Sequence, residues 1–77
     1  MNIATHFKGN NADQDLVART ARVTVAEHKL HRQDIAIEMK ITAPLLSGLL
    51  NGYRVWTPEL ASQFDGAIES LTKERKK

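Results

Sequence analysis

Three helix boundaries are written into the stretch from Thr42 to Glu59. Thr42 offers a hydroxyl to cap a helix opening at Ala43, and Pro44 falls in the first turn, where a missing N–H costs little. Asn51-Gly52 stops that helix at about Leu50, because glycine takes the left-handed conformation of a helix C-terminus without steric cost. The short loop Tyr53-Arg54-Val55-Trp56 comes next. Thr57-Pro58-Glu59 then opens a further helix with a cap, a proline at the first helical position and an acid near the positive end. Such punctuation commits this part of the chain to short helices and tight links.

The rest of the chain reads the same way. Asp13 or Asn11 caps a first helix running to about His28, with Val17, Ala21, Val25 and His28 on one face, flanked by Leu16 and Thr24. The run Val23-Thr24-Val25 lowers helix propensity locally, but no second strand exists for it to pair with. A second helix spans about Arg32 to Met39 and turns Ile35, Ala36 and Met39 inward. After Thr57, the residues Leu60, Phe64, Ala67, Ile68 and Leu71 form a continuous apolar stripe. Gly66 interrupts that helix at a cost of about 1 kcal/mol against alanine. Trp56 is expected to pack under this last helix and Tyr53 to stand at a rim. Residues 1–12 are weakly patterned and read as a flexible arm, with Gly9, Asn10 and Asn11 as a turn and Ile3 and Phe7 able to dock on the core. Residues 13–71 form one helical domain, and residues 72–77 a basic tail of Lys73, Arg75, Lys76 and Lys77.

Composition narrows the chemistry. A chain of 77 residues holds one domain with a small core. Without cysteine it has neither disulfide nor thiolate metal site. His28 and His31 lie three apart with no third ligand at a recognisable spacing, so no metal or other cofactor is expected. No apolar run approaches the ~18 residues of a membrane span, and no signal-peptide pattern stands at Met1, so a cytoplasmic location is expected. Ser47, Ser62 and Ser70 have no histidine at a motif spacing and the acids are scattered, which argues against an enzyme. A net charge of +2 does not by itself point to nucleic acid.

The order of residues from Arg32 to Gly52 says more. Ile35-Ala36, a break at Lys40, Ile41-Thr42, Leu46, Leu49 and a closing Asn51-Gly52 succeed one another. Leu16-Val17-Ala18-Arg19 and Leu30 precede them, and Glu59-Leu60-Ala61 comes after. Over about residues 13–71 the chain resembles the lambda-repressor-like helix-turn-helix family, which includes the phage Cro proteins. The resemblance implies an all-α, compact four- to five-helix domain. Its implied function is double-stranded DNA binding in transcription regulation, by a repressor-like protein of a phage or mobile element, in the cytoplasm of a bacterium or phage-infected host.

In that geometry the third helix enters the major groove and the second abuts the backbone. Thr42, Ala43, Pro44, Ser47 and Gly48 would then face the base edges. Arg32, Gln33, Lys40, Asn51 and Arg54 would hold phosphates. The chain departs from the family's usual pattern in two ways. Ala43, Pro44 and Gly48 carry no hydrogen-bonding side chain, which leaves thymine-methyl contacts and DNA shape as means of readout. Lys29 and Lys40 fall where glycine often supplies a left-handed residue, at a cost to lysine of roughly 1 kcal/mol. Binding as a homodimer to half-sites about one helical turn apart would multiply a small discrimination. Leu45, Leu50 and the far end of the last helix are the candidate apolar contacts. The leucine-rich third helix also fits an alternative, a protein-binding module of antirepressor or antitoxin-like type.

Overall fold

The computed structural model describes residues 3–9 and 11–75. Met1, Asn2, Asn10, Lys76 and Lys77, which belong to the expected arm, turn and basic tail, lie outside the described residues. The fold is all-helical: α1 (Gln14–Glu27), α2 (Arg32–Met39), α3 (Ala43–Asn51) and α4 (Pro58–Arg75), preceded by a 3-10 turn at Ile3–His6. The boundaries come from the caps. The Asp13 carboxylate accepts the Leu16 N–H, the Thr42 hydroxyl that of Leu45, and the Thr57 hydroxyl that of Leu60.

Three successive helices end by one device. Lys29 (φ 52°), Lys40 (φ 59°) and Gly52 (φ 85°) take the left-handed conformation. The next residue then returns its N–H to a carbonyl five positions back: Leu30 to Val25 at 3.1 Å, Ile41 to Ala36 at 2.9 Å, Tyr53 to Gly48 at 2.8 Å. This is the Schellman closure, which satisfies carbonyls that a helix end leaves open. Leu30 and Ile41 continue onto the core. The two lysines therefore adopt the backbone expected of them.

The core joins all the helices. Val17, Ile35, Leu46, Leu49, Leu50, Trp56 and Phe64 are fully buried, with the rings of Trp56 and Phe64 edge to face at 5.6 Å. Ala36 is the small residue buried where α2 turns inward beside Ile35 and Met39. On α1 the inward face is Val17, Ala18, Ala21 and Thr24, with Val25 half-buried. His28 and Leu16, expected at or beside that face, are exposed. The reason is phase and length: α1 stops at Glu27, so His28 falls on the cap. Ala61, on α4, joins the stripe there and is fully buried.

The segment expected as a flexible arm has a structured part. Ile3 is fully buried, and Phe7 is half-buried against the same core. The Asp65 carboxylate on α4 accepts the N–H groups of Ile3 at 2.8 Å and Ala4 at 2.9 Å. Burying an isoleucine is worth about 1.5–3 kcal/mol, enough to hold so short a turn. At the other end α4 runs on to Arg75, so the basic tail begins as helix. Among the described residues, no helix is long and apolar enough to cross a membrane.

Candidate nucleic-acid interface

α2 and α3 are joined by only Lys40, Ile41 and Thr42. Left-handed Lys40 reverses the chain, Ile41 tucks against the core, and extended Thr42 opens α3. The turn is therefore built from one strained residue, one apolar anchor and one cap. It sets α3 against α2 and α1 with Leu46, Leu49 and Leu50 inward.

The far end of α3 is held at three successive carbonyls. Gly48 accepts the N–H groups of Tyr53 and Arg54 at 2.8 and 3.1 Å. Leu49 accepts the indole N–H of Trp56 at 3.0 Å. Leu50 accepts a guanidinium N–H of Arg22, a cation placed at the negative end of the helix dipole. Gln14, at the start of α1, clamps Trp56 in turn: its side-chain oxygen accepts the Trp56 N–H at 2.6 Å and its amide donates to the Trp56 carbonyl at 3.0 Å. Sequence reasoning missed Gln14 and Arg22, because each contact spans a large sequence separation and involves no motif.

The outward face of α3 carries Ala43, Pro44 and Asn51, all exposed, with Ser47 and Gly48 half-buried among them. At 100° per residue, Pro44, Ser47, Gly48 and Asn51 share one strip opposite the three buried leucines. The Thr42 hydroxyl spends its oxygen on the cap and keeps its own O–H for another partner. No protein-family model matches this chain, and no curated protein or solved structure matches it.

Of the residues expected at phosphates, Asn51 and Arg54 lie with Gly48 at the C-terminal end of α3, and Lys40 leads into its N-terminus. All three are exposed. Arg32 and Gln33 are exposed at the other end of α2, about 12 Å of helix away from Lys40. His31 caps α2 without a side-chain bond. One expectation changes. Leu50 is fully buried and cannot meet a partner, whereas Leu45 is half-buried. Gly48 is half-buried, with the Arg54 stem beside its α carbon. The exposed large apolar residues are Leu16, Val23, Ile37, Tyr53 and Val55, of which Tyr53 is 85% and Val55 70% exposed. Tyr53 thus stands at a rim, as expected, and Trp56 beneath α4. His28 and His31 are both exposed, and among the described residues no three metal-ligating side chains gather.

Proposed function

We propose that the chain is a helix-turn-helix DNA-binding regulator, with α3 as the helix that enters the major groove. The observation that carries this reading is the three-residue link of Lys40, Ile41 and Thr42, which presents a helix with one buried and one open face next to a second short helix. α2 would lie over the phosphate backbone, with Arg32, Gln33 and Lys40 exposed along it. Asn51 would serve the same purpose at the end of α3. Ala43 and Pro44 would meet thymine methyls, while Thr42 and Ser47 supply hydrogen bonds. A lambda-repressor-like regulator working as a homodimer, in the cytoplasm of a bacterium or phage host, is the form this function takes.

The test is affinity for random duplex DNA across salt. Each neutralised phosphate contributes about 0.9 to the slope of log affinity against log salt. The two cationic contacts per copy, Arg32 and Lys40, then lower affinity roughly twelvefold between 50 and 200 mM salt. A flat salt response, or no binding at low salt, rejects DNA. That outcome favours the second reading, a protein-binding module, for which the exposed Tyr53 and Val55 beside α3 are the specific support.

A further inference from the structure

The open strip of α3 has a gap in its middle. Gly48 contributes no side chain there, and glycine is a poor residue for a helix interior. A Cβ built on Gly48 would lie 2.7 Å from Cγ of Arg54, with Cβ and Cδ of Arg54 at 3.7 and 3.8 Å. The arginine stem therefore runs across the α carbon, in the space a side chain at position 48 would occupy. Gly66, the other glycine inside a helix, has nothing within 4 Å of the same position. The Gly48 carbonyl also accepts the Arg54 N–H, so one residue holds Arg54 by backbone and makes room for its stem.

We propose that Arg54 occupies the groove-facing position that Gly48 vacates and reads a guanine edge. α3 thereby gains, from the loop behind it, the cationic reader its own sequence lacks. This rests on the reading of α3 as the helix that enters DNA, and it gives Arg54 a different task from the phosphate contact its sequence position suggests. The chemistry fits: a guanidinium offers paired N–H donors to O6 and N7 of guanine, and no other residue of the strip carries a cation. Pro44 and Ser47 lie within about one turn of Gly48 on the same strip, so the arginine is central rather than marginal to the face. Gly48 is a positioning residue, acting through Arg54.

Two measurements test this on the full chain. In the free protein, proton–proton contacts between Gly48 Hα and Arg54 Hγ should appear by NMR; their absence overturns the placement whether or not DNA binds. Binding-site selection is then run on the wild type, Arg54→Ala and Gly48→Ala, each checked for folding by circular dichroism. The wild type should select a motif with one G·C pair that Arg54→Ala loses, a roughly tenfold discrimination, with the salt slope unchanged. Gly48→Ala retains every charge but displaces the stem, so it should lose preference at the same pair. If Arg54→Ala keeps the motif, weakens all sequences alike and lowers the slope by about one, Arg54 is a phosphate contact and the proposal fails. A wild type that binds no duplex defeats the DNA reading itself and this role with it, an outcome distinct from a motif that persists without Arg54.

Discussion

The ends of α2 and α3 share the bond that returns to the carbonyl five positions back and differ in the residue that makes it. After left-handed Lys40, the returning residue is Ile41, which folds onto the core. After left-handed Gly52, it is Tyr53, which stays 85% exposed. The α2 end is thus closed by apolar packing as well as by backbone bonds. At the α3 end the residue five positions back is Gly48, which has no side chain to pack on, and Arg54 takes that space instead. The same closure serves to fix an angle between helices in one place and to deliver a cation in the other. Backbone geometry alone does not tell them apart; the side chain after the left-handed residue does.

The largest expected effect lies on the packed side of this comparison. Ala36 accepts the Ile41 N–H and is itself buried. Ala36→Glu places an unpaired carboxylate there, at a cost of several kcal/mol, against the thin margin of so small a domain. A circular dichroism melt should find the variant unfolded at room temperature. A folded variant would remove Ala36 from the joint between α2 and α3. Next comes Ile41→Ala, which truncates a half-buried anchor and should cost about 1–2 kcal/mol in urea unfolding. Tyr53→Ala, its counterpart after α3, should fall within about 0.5 kcal/mol of wild type. Equal losses in the two would mean that both ends are closed by packing.

The left-handed residues sharpen the contrast further. Gly52→Ala forces a Cβ into φ 85° and should destabilise by about 1 kcal/mol or more. Lys40→Gly relieves the opposite mismatch and should raise stability by about 1 kcal/mol, read as a higher urea midpoint with unchanged slope. In DNA binding the same variant should lose affinity and about one unit of salt slope, since the charge goes with the strain. Lower stability for Lys40→Gly would show that the lysine stem makes a contact worth more than its backbone cost.

These particular residues also mark how far the sequence can be read. The caps at Asp13, Thr42 and Thr57, the left-handed lysines and the stop at Gly52 are local chemistry, so these helix ends are legible without any tertiary contact, whereas the end of α4, which carries no such signal, is not. The inward residues of α2 are legible because Ile35, Ala36 and Met39 stand out from polar neighbours. On α3, Leu45 and Leu50 flank Leu46 and Leu49 at equal angles on opposite sides, so periodicity does not tell buried Leu50 from half-buried Leu45. The structured part of the arm is hidden for another reason: what holds Ile3 is a carboxylate at Asp65, on the far side of the sequence. Gly48 carries a signal, since an unexplained glycine inside a helix marks either weakness or a close approach. Which of the two applies depends on the course of the loop through Arg54.

The single tryptophan gives the molecule an internal optical reporter. Trp56 is 1% exposed, and its ring or backbone touches Gln14 of α1, Leu49 of α3 and Phe64 of α4. Its emission therefore senses three helices at one point. Water reaching the indole requires that the junction of α1, α3 and α4 open, so a fluorescence red shift records the loss of that junction rather than the fraying of any one helix. When fluorescence and far-ultraviolet dichroism trace the same denaturation curve, the helices and their shared joint come apart as one unit.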